Sequence, residues 1–245
     1  MTNDWFKYDQ QLVSSVTEFI DFVLGKKRAH SLYRGHKEGS WGLEPVIDRV
    51  KHGPLTRLDH ERLMFQEFRR RAAAFLKTMP TNDWELLALA RHHGLPTRLL
   101  DWSKNPLAAL FFAVEGQSEG DGAVWTYLFM GQGRPLPEDS PDPFSVEQLG
   151  LYEPLHLHPR IAVQSSLFTV HPENWKHDAN PWSGVLTKVV IPNRERPRVR
   201  HELFRLGIHR ATLFPDLDNA AIHIQQTWVS QPDEKSIFDD SADTK

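Results

Sequence analysis

With 245 residues, 40% of them hydrophobic and 25% charged, and with 14 Gly and 17 Pro, the chain has the composition of an ordinary globular protein, which excludes collagen, coiled coil and wholesale disorder. The formal charge of -3, from 29 Lys and Arg against 32 Asp and Glu, leaves no global basic field for nucleic acid or anionic membrane, so any such contact must be local. The absence of Cys removes disulfides, thiolate metal sites and a Cys nucleophile. A polar N-terminus and the lack of any apolar run near the ~18 residues of a spanning helix point to a cytoplasmic protein with no membrane partner.

In chain order, Gln11 to Leu24 carries Leu12, Val16, Phe19, Ile20 and Val23 at helical spacing, with Gly25 and two Lys as a stop, so residues 1–29 read as an N-terminal helical segment. SLYRGH is a short strand. Thr56 or Asp59 caps a second helix, with Met64, Phe68, Ala72 and Phe75 as its apolar stripe. Asn82 with Glu85 begins a third helix, closed by Gly94 and Pro96. TRLLDWS reads as a buried strand, and Asn105 with Pro106 opens LAALFFAVE, a helix apolar on all sides and therefore central. GAVWTYLFM is a strand, the proline-rich stretch from Gly131 to Phe144 a surface loop, and further strands are expected at Ile161 to Val170 and Val185 to Ile191. A helix from Arg198 to Leu206 and a last short one complete the pattern. Helices and strands mix without regular βαβ alternation, so the predicted class is α+β: a single domain over residues 30–228 with a small mixed sheet, followed by a polar, disordered tail at 229–245.

Three polar clusters interrupt apolar surroundings. Tyr33, Arg34, Gly35 and His36 place a planar five-donor guanidinium on a core strand beside a Gly that permits close backbone approach, a combination suited to phosphate or carboxylate. The alternative is a buried Arg paired with Asp101 or Asp48. Residues 91–106, RHHGLPTRLLDWSKNP, gather His92, Thr97, Arg98, Asp101, Trp102 and Ser103 between two apolar helices, a density that points to a lined site. In HLHPRIAVQSSLFTVHP, Arg160 and Gln164 are candidates for a binding face. His156 and His158 lack a fixed third ligand, so no metal is predicted.

These segments, with LFRLGIHRATLFPDLDNAA, resemble the successive motifs of the FRG domain family, named for its Phe/Tyr-Arg-Gly element, over about residues 30–225. The resemblance implies a bacterial or phage-associated protein of toxin or phage-defence type. It maps the naming motif onto Arg34 and Gly35, the central motif onto His92, Gly94, Thr97, Arg98, Asp101 and Ser103, and the third onto Arg160 and Gln164. Ser103 stands where Thr is more usual.

The order of parts also looks like the split sheet of ADP-ribosyltransferases. That resemblance implies NAD as substrate and a protein or nucleic-acid acceptor. Arg34 would hold the pyrophosphate or nicotinamide ribose, Ser103 with Thr97 would orient the ring, and Trp102 or Phe111 would stack on it. Cleavage through an oxocarbenium-like state calls for a carboxylate, and Gln164 cannot supply one. Two alternatives stand beside this reading. One is a nuclease or phosphodiesterase with His92 and Asp101 as base and orienter and with Arg34, Arg98 and Arg160 on phosphate; the other is a non-catalytic module that binds a nucleotide or nucleic acid through the same arginines.

Overall fold

Asn105 and Pro106 start the most apolar helix among the described residues, and the sheet is laid out beneath it. A computed structural model of the chain describes residues 8–25, 31–128, 142–154, 166–177, 182 and 184–228. Among these residues seven strands form one mixed sheet: β1 (Asp9–Leu12), β2 (Ser31–His36), β3 (Leu99–Ser103), β4 (Gly122–Leu128), β5 (Gly150–Tyr152), β6 (Ser166–Val170) and β7 (Val185–Ile191), in the order β1-β7-β4-β2-β3-β6-β5. Only β1 and β7 run parallel; every other pair is antiparallel. The helices are α1 (Val16–Gly25), α2 (Arg57–Ala72), α3 (Asp83–His92), α4 (Pro106–Val114), α5 (Arg196–Arg205), α6 (Arg210–Leu213) and α7 (Leu217–Trp228). This is the α+β single-domain architecture expected.

Strand alternation sorts the core onto two faces of the sheet. Val124 and Val189 face α4, α1 and α5, where they meet Phe19, Ala109, Val199 and Leu203. Their neighbour Trp125 turns to the other side, into a cluster with Trp102, Tyr127, Trp182 and Leu186. A third cluster, with Phe65, Trp84, Leu87 and Phe168, lies under α2 and α3.

Helix α4 starts where Asn105 Oδ1 accepts the main-chain N–H groups of Leu107 at 3.0 Å and Ala108 at 3.3 Å, with Pro106 in the first turn, where its missing N–H costs nothing. The helix then crosses β2 and β4 at two glycines. A methyl group at Gly35 would fall on the Ala109 carbonyl oxygen, and one at Gly122 on that of Ala113.

The sheet is split. Strand β2 pairs with β4 from Ser31 to His36, and β3 pairs with β6 from Leu99 to Ser103, but β2 meets β3 only at Tyr33 opposite Ser103. Beside that junction the Arg34 side chain reaches Asp101, and both residues line a wedge-shaped cavity.

Three local expectations are corrected. The N-terminal segment is not wholly helical: Asp9–Leu12 is an exposed strand on the edge of the sheet, and the helix begins only at Val16. The buried face of α2 contains Glu61, Phe65 and Ala72 with Phe68 packed beside them, whereas Phe75 is 86% exposed because the helix ends at Ala72, before that residue. Phe144, expected on a surface loop, is buried in a short 3-10 turn capped by Asp142. The proposed tail at 229–245 lies outside the described residues.

Candidate functional site

Arg34 sits where the two halves of the sheet part. Its Nη1 donates to the Asp101 carbonyl oxygen at 2.7 Å and lies 3.5 Å from Asp101 Oδ2, while its Nε donates to His36 Nε2 at 2.9 Å. Asp101 Oδ2 also accepts from Arg91 in the last turn of α3, from Nε at 2.9 Å and from Nη2 at 2.6 Å. One carboxylate therefore braces two guanidiniums. Arg34 and Arg91 side chains are 16% and 15% exposed, so the pair is held in a partly dry setting that strengthens charge–charge terms. Arg34 Nη2 and Arg91 Nη1 have no hydrogen-bond partner among the described residues.

Burial lowers the Arg34 guanidinium to about 10, against the opposing pull of Asp101, and leaves it charged at neutral pH. For Asp101 burial pushes the carboxyl up, but Arg91 and Arg34 together outweigh it and hold the group below its ordinary value. Asp101 is thus an anchored anion, not a group poised to take a proton.

His36 and His171 are both buried, and burial first, then neighbouring cations, holds each well below the ordinary imidazole value of 6.5. The cations are Arg34 and Arg49 for His36, and Arg57 and Arg34 for His171. A neutral His36 can accept the Arg34 N–H; a protonated one cannot. Both rings stay neutral in the fold and take up protons in the unfolded chain below the ordinary value. Their contribution to stability is therefore complete above it and declines as pH falls, by up to about 1.4 kcal/mol per pH unit for each ring. Urea unfolding at about pH 7.5 and about pH 5.5 should show this loss, and an unchanged midpoint would contradict it.

A cavity of about 490 Å³ opens at the wedge. Of the residues singled out in the sequence, Tyr33, Arg34, Gly35, His92, Asp101, Trp102 and Ser103 line it. Their side chains are not equally available. Trp102 is 2% exposed and its Nε1 donates to Thr169 Oγ1 at 3.0 Å, so its ring belongs to the aromatic core and is closed to stacking on a ligand. Ser103 Oγ accepts the Asn105 N–H at 2.9 Å and donates to the Asn105 carbonyl at 3.1 Å, which fixes the cap of α4. Phe111 is buried against the sheet, and its neighbour Phe112 faces the cavity instead.

Thr97 and Arg98, expected at the ligand, are placed elsewhere. Thr97 is fully buried, and the Arg98 side chain, 1% exposed, donates from Nε to Glu61 Oε2 at 2.9 Å under the third core cluster. Arg160 and Gln164 lie outside the described residues, as do His156 and His158.

Sequence reasoning passed over Arg91, Lys37, Trp41, Phe112, Glu115 and Phe214, all of which line the cavity. Arg91 had a signal, since it stands at the head of the polar segment, but a cation in the last turn of a helix is explained equally well by the helix dipole. Phe214 had none, because only the tertiary fold brings the C-terminal helices to α4. Glu115 forms an ion pair with Arg210, so the unmatched charge on the cavity wall is positive. Among the described residues no group of three or more His, Asp or Glu is placed to hold a metal ion. Among the described residues no helix is long and apolar enough to cross a membrane.

Residues 29–122 match the family model of the FRG domain, which supports the FRG family for this chain. No curated protein and no solved structure matches the chain. The family match ends at the first residue of β4, so it contains Arg34, Arg91, Asp101, Phe112 and Glu115, whereas Ser166, Phe168 and Phe214 join the cavity wall from beyond it.

Proposed function

We propose that the cavity at the split of the sheet binds a nucleotide-type small molecule by its phosphate, with Arg34 as the principal anion contact and Arg91 beside it. One observation carries this reading: two guanidiniums share a single carboxylate and, among the described residues, still present N–H donors without a partner on the wall of a cavity. Such donors, fixed in advance, suit the oxygens of a phosphate. The cavity volume of about 490 Å³ is that of an ordinary small-molecule site.

NAD enters this reading as a nucleotide ligand. Cleaving it would require a carboxylate free to face a cationic ribose, and the two on the wall are each held by a guanidinium, Asp101 by Arg91 and Arg34 and Glu115 by Arg210. The nuclease alternative needs Asp101 to orient His92, whereas Asp101 is engaged by the two arginines. Ligand binding is therefore the function the geometry supports best.

Calorimetric titration with NAD, ADP-ribose and pyrophosphate tests it. Arg34→Lys keeps the charge but loses the fork, and is expected to weaken binding by about 10- to 100-fold with the fold intact. Arg34→Ala should abolish measurable binding while costing only about 1–2 kcal/mol of stability, since Arg91 still neutralises Asp101. A folded wild type that binds none of the three would overturn the reading. Nicotinamide release during the NAD titration would add turnover to binding.

A further inference from the structure

The segment joining α6 and α7 lies beyond the family match, yet it closes one side of the cavity. Phe214, immediately after α6, lies on the wall, and its ring meets that of Phe112 on α4 edge to face, with centroids 5.7 Å apart and planes at 90°. Two rings at right angles make a concave aromatic corner. Such a corner offers one ring face for stacking and one ring edge for a T-shaped contact.

The corner is braced from behind. The Arg210 guanidinium lies over the Phe214 ring at 5.2 Å, donates from Nε to Asn219 Oδ1 at 2.7 Å, and pairs through Nη1 with the Glu115 carboxylate at the end of α4. Asn219 is buried and donates in turn to both Asp216 carboxylate oxygens, at 2.7 and 2.8 Å. Arg210 therefore does two things for the same cavity: it fixes Phe214, and it neutralises Glu115, an anion that would otherwise repel a phosphate.

From this arrangement, and resting on the nucleotide reading above, we infer that Phe112 and Phe214 form the subsite for the ligand's planar ring, with Arg210 as the positioning residue that holds it. The base of the nucleotide-type ligand is thereby given its place in the cavity, opposite the phosphate contact. The loop at Phe214, outside the FRG match, then sets the preference for the ring, while Arg34 within the match takes the phosphate.

Adenosine monophosphate and ribose 5-phosphate separate the two subsites, because they share the phosphate and the sugar and differ in the base. Wild-type protein is expected to bind the nucleotide about 10-fold or more tightly than the sugar phosphate, the size of a base–aromatic stack. Phe214→Ala should remove most of that advantage and leave the affinity for ribose 5-phosphate within about twofold, which also shows that the variant is folded. Arg210→Gln should reduce the same advantage through Phe214 and, by freeing the Glu115 carboxylate, also weaken both ligands. Arg34→Lys, by contrast, should weaken both ligands alike. Equal wild-type affinities for the two compounds, or a Phe214→Ala loss shared equally between them, would overturn the ring subsite alone. A wild type that binds neither compound would overturn the nucleotide reading and the subsite with it.

Discussion

Glu61→Ala is expected to destabilise the protein by about 3–5 kcal/mol, as removal of one partner from a buried ion pair does. The Glu61 and Arg98 side chains are 0% and 1% exposed. Glu61 does two jobs in that dry setting: Oε2 takes the Arg98 Nε–H at 2.9 Å, and Oε1 takes the Arg98 main-chain N–H at 2.6 Å. The truncation strands a guanidinium that lies over the Phe144 ring and whose remaining hydrogen bonds, to the Pro143 and Phe144 carbonyls, are long at 3.3 and 3.4 Å. It also leaves a buried peptide N–H without an acceptor, a further cost of about 1–3 kcal/mol if nothing moves to meet it. Glu61→Gln, which keeps both acceptor positions only in part, should lose less. The double variant Glu61→Leu with Arg98→Met should recover most of the loss but not all of it, because the main-chain N–H stays unpaired. Urea unfolding of the four proteins measures each step, and a Glu61→Ala loss under about 1 kcal/mol would mean that water or a neighbour satisfies Arg98.

The same pair shows what the sequence does and does not disclose. Periodicity alone assigns α2 the stripe Met64, Phe68, Ala72, Phe75, a reasonable face by hydrophobicity. In the structure Phe68 and Ala72 do pack inward, but the helix ends before Phe75, and the buried face also takes in Glu61, whose carboxylate is matched by Arg98. Local chemistry was more legible. Asn105 with Pro106 and Asn82 with Glu85 mark helix starts whose cap bonds are present, because a cap is decided by residues within one turn. Strand β1 was not legible: Asp9, Gln10, Gln11 and Leu12 are all exposed, and such an edge strand owes its state to pairing with β7, not to its own composition. The site divides along the same line. Arg34 and Asp101 stand out as polar residues in apolar strands, and they do face each other. Arg98, equally conspicuous in sequence, turns the opposite way into the core, a choice made by a partner 37 positions earlier in the chain.

Gly35 follows Arg34 in the naming motif, and the sequence suggests that it opens the backbone to a ligand; the geometry assigns it a further and stricter task. A Cβ at Gly35 would overlap the Ala109 carbonyl oxygen and stand 2.8 Å from both Ala113 N and Phe112 Cβ. Two of those three atoms belong to the main chain of α4, which cannot yield by a rotamer change. Gly35→Ala must therefore lift α4 from β2, and overpacking of this kind costs at least the upper end of about 1–3 kcal/mol. The lifted helix carries Phe112 and Asn105, so the aromatic corner and the cap are displaced together with it. Gly25→Ala is the matched control: no atom lies within 4 Å of the added methyl, and it is expected to be neutral or slightly stabilising. A thermal midpoint for Gly35→Ala equal to that of Gly25→Ala would show that α4 sits farther from the sheet than 2.8 Å contacts allow. If instead Gly35→Ala unfolds early, then the Gly of the motif is required by helix-on-sheet packing, and the Arg before it is free to vary in role without loss of the fold. On that outcome the ligand-binding character of the motif rests on the guanidinium of Arg34 alone.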